Sequence, residues 1–167
     1  MVRLDQLHNT YERFMSYDTL IWERTLFDNN TCGYLVTSLQ RIAAAGKSKN
    51  AHEIFVKEQK MCRKLVSFGF QLEHLSEIPG VSSPDIALKK HGYLVRINGK
   101  TADLKQLSSA NNISRQAKEA IHKKKVNLVI FEFITQTYEI ENEIRKLSKK
   151  GIHGYYYYSD STIYSSF

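Results

Sequence analysis

Hydrophobic and polar positions divide the chain into alternating helical and strand-like stretches. In "LDQLHNTYERFMSYDTLIWERTLF", Leu4, Leu7, Tyr11, Phe14 and Met15 recur at helical spacing and predict a helix. "FDNNTCGY" breaks it with Asp, Asn and Gly. "YLVTSLQRIAAAG" reads as a strand turning into a helix, and "GKSKN" as a polar junction. A boundary is placed there. Residues 1–49 form a mainly helical N-terminal extension and residues 50–167 the main domain.

The main domain opens on "NAHEIFVKEQKMCRKLVSFGF", a helix with an apolar stripe of Ile54, Met61, Cys62, Leu65 and Phe68. Asn50 is the expected N-cap, with Glu53 three residues on as in a capping box, and Gly69 the expected stop. "FQLEHL" alternates like a short strand, and "SEIPGVSSP" is a loop with a Pro-Gly turn signal. "DIALKK" and "YLVRI" read as strands, Asn98-Gly99 as a type I′ hairpin turn, and "KTADLK" as the returning strand. A helix follows from about Asn112, with Ile113, Ala117, Ala120 and Ile121 on its inner face. "VNLVIFEF" is apolar enough for a central strand covered on both faces. "YEIENEIRKLSKK" is an amphipathic helix and "GYYYYSD" a final strand. From residue 52 the order is α, β, β, β, α, β, α, β, which predicts an α/β domain with a mixed central sheet and helices on both faces.

Composition sharpens this only in part. Hydrophobic residues make up 42% and aromatics 11%, enough for a core and against disorder. Cys32 and Cys62 lack metal-ligand spacing and read as free thiols. The start "MVRLDQLHNT" has no apolar signal region, and no run reaches the length of a membrane span. A soluble protein with no membrane partner is expected, with no signal peptide or transmembrane segment. The net charge of +7 favours polyanionic partners, nucleic acid ahead of an anionic membrane.

The candidate chemistry lies in "SSPDIALKKHGYLVRINGKTADLK". Strand periodicity puts Thr101, Asp103 and Lys105 on one face, with Ala102 and Leu104 on the other. Asp85 opens an earlier strand. If that strand pairs with the one carrying Asp103, the two carboxylates converge. Converging carboxylates repel unless a cation neutralises them, and oxygen ligands suit Mg²⁺. A nearby lysine can stabilise phosphoryl charge or position an attacking water. This kit suits in-line hydrolysis of a phosphodiester. The bland alternative is a loop-capping Asp85 beside a solvated Asp103–Lys105 pair. Glu58 adds a second anomaly, a carboxylate amid the apolar stripe of its helix, costly there unless paired or metal-bound.

Pro84-Asp85, then Asp103-Leu104-Lys105, with Glu58 on the preceding helix, resembles the PD-(D/E)xK nuclease superfamily. The element order fits that superfamily's restriction-endonuclease-like core, αβββαβ plus αβ. More narrowly, "EQKMCRKLVSFGFQLEHL", "SSPDI", "INGKTADLK" and "NNISRQAKEA" resemble the C-terminal tRNase-type domains of contact-dependent inhibition toxins (CdiA). Related domains are appended to phage head-morphogenesis proteins. The resemblance covers about residues 52–160. It departs in having Asp103 where glutamate is commoner and in the longer "LKKHGY" hairpin.

The resemblance implies a metal-dependent endonuclease in which Glu58, Asp85 and Asp103 hold Mg²⁺ or Mn²⁺ and Lys105 orients the water or stabilises the transition state. RNA, particularly tRNA, is favoured over DNA. A toxin role acting in the cytoplasm, with a dedicated immunity protein as partner, is implied as well. Two other readings stay open: a DNA endonuclease or resolvase-like enzyme of a phage or mobile element, and a non-catalytic nucleic-acid-binding or phage-structural module. Weaker substrate-binding candidates are Ser108, Asn111 and Asn112 at a helix start, with Ser109 beside them, and Gln116 and Lys118 further on. "HKKK", residues 122–125, reads as a solvated helix end complementing the dipole. Alternate tyrosines of "YYYY" would face opposite ways, leaving half of them in the core and base stacking as the lesser reading.

Overall fold

A computed structural model describes residues 2–77, 80–91 and 96–167, with the backbone alone for residue 91 and residues 96–98. One eight-stranded mixed sheet runs through the described chain in sequence order, β1 to β8. The helices are α1 (Leu4–Ser16), α2 (Leu39–Ala45), α3 (Lys49–Ser67), α4 (Ile113–His122) and α5 (Tyr138–Lys149). The strands are β1 (Trp22–Phe27), β2 (Tyr34–Ser38), β3 (Gln71–His74), β4 (Ile86–His91), β5 (Arg96–Leu107), β6 (Leu128–Phe133), β7 (Gly154–Tyr158) and β8 (Ser165–Ser166). From α3 to β7 the order is the expected one. The fold is α/β, with β2–β3, β5–β6 and β6–β7 parallel and the remaining pairs antiparallel.

The sheet separates two main cores. Met61, Cys62, Leu65 and Val66 of α3 pack on Leu72, Leu88, Ala102, Leu104 and Ile130. On the opposite face, Ile113, Ala117 and Ala120 of α4 and Ile140, Ile144 and Leu147 of α5 pack on Val129, Phe131 and Phe133. The β6 run is buried at every position, as its unbroken apolar sequence requires. The paired alanines of α4 let that helix lie close to the sheet.

The N-terminal region differs from expectation. The helix stops at Ser16, and residues 22–27 are β1, antiparallel to β2. Tyr34 and Val36 of β2 pack with Phe14 of α1, while Leu35, pointing the other way, joins the α3 core. β2 then pairs in parallel with β3, so the first 49 residues supply a helix and two strands to the common sheet. Helical periodicity across residues 17–27 was misleading because β1 is only half-buried and lacks a clean alternation.

Local corrections concern caps and turns. Ser48, not Asn50, caps α3, its hydroxyl accepting from the Ala51 N–H at 3.0 Å. Ile54 lies outside the buried stripe and is exposed. Gly69 follows the end of α3 with φ +94°, as expected of a stop signal. Asn98-Gly99 is not the hairpin turn. Both lie inside β5, where Leu88 pairs with Lys100 and Lys90 with Ile97, so one residue of β4 opposes two of β5. Gly99, at φ +67°, is the left-handed residue such a bulge needs. β4 ends at His91 and β5 begins at Arg96, so the reversal falls outside the described residues. Residues 93–95 of the expected "YLVRI" strand and Pro79 of the Pro-Gly signal also lie outside them.

Gly33 fixes the N-terminal hairpin against the main core. A Cβ there would run into the Val66 carbonyl at the end of α3, and Thr31 Oγ1 donates to the same carbonyl at 3.0 Å. Gly33→Ala is expected to cost about 2–3 kcal/mol through overpacking against backbone. That corresponds to a fall of roughly 5–10 °C in Tm for a chain of this size, measurable by thermal melting.

Candidate active site

Antiparallel pairing of β4 with β5 decides where the acids meet. Ile86 pairs with Ala102, which places Asp85 beside Asp103. The Asp85 N–H donates to the Ala102 carbonyl (3.2 Å), and its carbonyl accepts from the Leu75 N–H (2.9 Å). Asp85 Oδ2 accepts from the Leu104 N–H at 2.8 Å, which fixes the carboxylate. Asp103 is fully buried, and Lys105 Nζ lies 2.8 Å from its Oδ2, as same-face periodicity requires. That distance is an ion-pair contact without hydrogen-bond alignment, so Oδ2 is left without a hydrogen bond.

A fourth group, missed in the sequence, completes the cluster. Lys124 Nζ donates to Asp103 Oδ1 at 2.6 Å and to Asp85 Oδ1 at 3.2 Å. It belongs to the "HKKK" run read above as solvated. The usable signal was spacing: Lys124 follows Ala117 by seven residues and Ala120 by four, continuing the inner face of α4. Lys124 lies in the turn just past the end of α4 at His122, and Lys125 follows with φ +54°, a left-handed conformation costing a lysine about 1–2 kcal/mol.

The charges respond to one another. Burial, followed by the hydrogen bond and charge of Asp103, pushes the Asp85 carboxyl up to about 8. Burial also works against ionisation of Asp103. Its contacts with Asp85, Lys105 and Lys124 outweigh burial and lower the pKa. Burial would lower Lys124, but the charge of Asp85 and the contacts with Asp103 raise it. Near neutral pH without another cation, Asp103 is therefore the ionised member and Asp85 retains the proton.

Glu58 is buried as expected but does not join this pair. It projects from α3, which covers the Ala102–Leu104 face of β5, whereas Asp103 and Lys105 point to the other face. Arg41 Nη2 donates to Glu58 Oε2 at 2.5 Å, and His74 Nε2 donates to the same oxygen at 3.1 Å. Phe55 stacks on the His74 ring at 5.6 Å, and the Arg41 guanidinium sits over Phe55. Burial raises Glu58, but His74 and then Arg41 outweigh it and hold its carboxyl below the usual range. The buried-acid reading was sound; the partners that satisfy Glu58 come from α2 and β3. Among the described residues, no three His, Cys, Asp or Glu side chains gather in a group able to hold a metal ion.

The weaker candidates lie elsewhere. Ser108 is five residues beyond Asp103 along β5, roughly 16 Å of strand. Ser108, Ser109, Asn111 and Asn112 are exposed at the N-terminal end of α4, whereas Lys124 reaches the acids from its C-terminal end. Gln116 is half-buried and Lys118 exposed, and the side chains that contact the two acids among the described residues are Lys105 and Lys124. Of the tyrosine run, Tyr155 and Tyr157 lie in the α3 core. Tyr156 and Tyr158 donate to Glu141 at 2.7 and 2.6 Å. A cleft of about 850 Å³, lined by Gln40, Lys47, Glu77, Ser82, Ser83 and Lys124 among others, adjoins the acid pair through Lys124.

A solved chain from the "CdiA-CT/CdiI toxin and immunity complex from Burkholderia pseudomallei" superposes on this architecture with a TM-score of 0.51. The two chains share a fold. The match spans 73% of this chain and 89% of the other at 14% identity, a level that speaks to fold and not to chemistry. No family model matches the sequence, and no curated protein matches it.

Glu58→Gln is expected to destabilise the fold by about 3 kcal/mol at pH 7, because Arg41 stays buried without its counter-charge. The carboxyl is lowered in the folded state, so its stabilisation is present above the ordinary carboxylate range and is lost as pH falls through the folded value. Melting curves from pH 7 to pH 3 should show the wild type and the variant converging on the acid side.

Proposed function

We propose that this chain is a metal-dependent endonuclease that hydrolyses nucleic-acid phosphodiesters. We favour RNA, and tRNA in particular, as substrate. We also propose that it acts as a toxin in the cytoplasm of a target cell, restrained by a dedicated immunity protein. The observation that carries the reading is the convergence of Asp85, Asp103 and Lys105 beside a cleft with lysines on its walls. The motif resemblance and the fold shared with a chain of a toxin–immunity complex support it, as does the +7 charge.

The donor set suits a hard divalent cation. Asp85 and Asp103 aim one oxygen each at a common point, where the Lys124 ammonium sits. Mg²⁺ is commonly held by one or two carboxylates, with waters and substrate phosphates completing its shell, so Glu58 is not required. Such an ion, when bound, supplies Lewis-acid stabilisation of phosphoryl charge and a more acidic water. Asp85 and Asp103 would hold it. Lys105, kept in place by its ion pair with Asp103, would face the scissile phosphate and stabilise the charge that builds there. Lys47 and Lys124 line the approach of the polyanion.

Incubation with tRNA, single-stranded RNA and duplex DNA, each with Mg²⁺ or EDTA, tests the reading. Cleavage of tRNA that needs Mg²⁺ is expected, falling at least about 10³-fold in Asp103→Ala and about 10²-fold in Lys105→Met, the range for loss of a transition-state donor. Cleavage of duplex DNA alone would move the assignment to a DNA endonuclease. No cleavage of any substrate, with binding intact in Asp103→Ala, would make the chain a binding module.

A further inference from the structure

The chain itself already supplies cations to the acid pair. Two carboxylates, Asp85 and Asp103, face two ammonium groups, Lys105 and Lys124. Lys105 and Lys124 play different geometric roles. Lys105 touches one oxygen of one acid, Asp103 Oδ2. Lys124 sits between the acids and takes one oxygen from each. That intermediate point is where two carboxylates would jointly hold a small cation.

We propose that Lys124 is a resident counter-cation that exchanges with the divalent metal: its ammonium leaves the seat between Asp85 and Asp103 as the ion enters, and moves into the adjoining cleft. This rests on the reading of the acids as a metal site and adds how access to that site is controlled. Electrostatics requires the exchange. Even after displacing the proton on Asp85, a divalent ion entering with both ammoniums in place would put four positive charges against two negative ones in a largely buried setting, where like charges are poorly screened. Asp103 is fully buried, and its Oδ2 meets the Lys105 ammonium in a contact not aligned as a hydrogen bond. The departing side chain has somewhere to go. Lys124 already lines the 850 Å³ cleft, as does Glu77, whose largely exposed carboxylate lies 3.9 Å from Arg41. The position also rests on a strained turn, since Lys125 holds a left-handed backbone.

The consequence is a metal affinity held down by an internal competitor, and a lysine delivered to the polyanion's path only after the ion has bound. Mn²⁺ binding to the full chain, read from the loss of the free-ion electron paramagnetic resonance signal, tests this without reference to activity. Lys124→Met is expected to bind Mn²⁺ at least tenfold more tightly than the wild type, Lys124→Arg no more tightly, and Asp103→Asn hardly at all. Equal affinities in wild type and Lys124→Met, both lost in Asp103→Asn, would overturn the exchange while leaving the metal site standing. No binding by any variant would remove the metal site and the exchange together. Amine acylation of the wild type, mapped by mass spectrometry, covers the case in which Lys124→Met fails to fold. Labelling of Lys124 should rise several-fold on saturation with Mg²⁺; unchanged labelling, in protein shown to bind the ion, would overturn the exchange.

Discussion

Everything near the candidate site follows from one requirement: charges removed from water must be matched within the protein. β4 and β5 pair so that Asp85 and Asp103 stand side by side. Two carboxylates at that distance would repel strongly in a buried setting. The fold answers with a lysine from β5 and another from the end of α4. The placement of α4 is thereby set twice, by its apolar contacts with Val129 and Phe131 and by the ammonium it sends down to the acids.

A second buried cluster obeys the same rule on the other side of the sheet. Arg41, Glu58 and His74 join α2, α3 and β3, with Gln59 Nε2 2.8 Å from the second His74 nitrogen and Phe55 over the ring. A network satisfied this fully specifies how its elements meet, because any shift would strand a charge. It fixes the end of β3 at His74, and the charge on Glu58 is felt by Asp85 as well.

Much of the main domain was legible because its signals were local. Period 2 put Asp103 with Lys105, and the unbroken run "VNLVIFEF" marked the strand covered on both faces. Asn98-Gly99 misled because a bulge and a type I′ turn both call for a residue at positive φ, and only the register distinguishes them. Glu58 was recognised as buried, but which side of the sheet its helix covers depends on chain path, which periodicity does not encode. Lys124 was hidden by its neighbours: three consecutive lysines read as a solvated end, although helix phase singles out one of them. The hairpin of β1 and β2 was missed because a half-buried strand lacks the alternation that identifies one.

The parallel seam between β2 and β3 also settles how the chain can be divided. Tyr34 to Thr37 lie along Gln71 to His74 and shield that row of backbone amides and carbonyls. A fragment starting at residue 50 would present this row as a bare edge, next to an apolar face stripped of Leu35. Bare edges of this kind template pairing between molecules. The first 49 residues are thus a selvedge woven into the same cloth, and the smallest portable unit of this fold begins with α1.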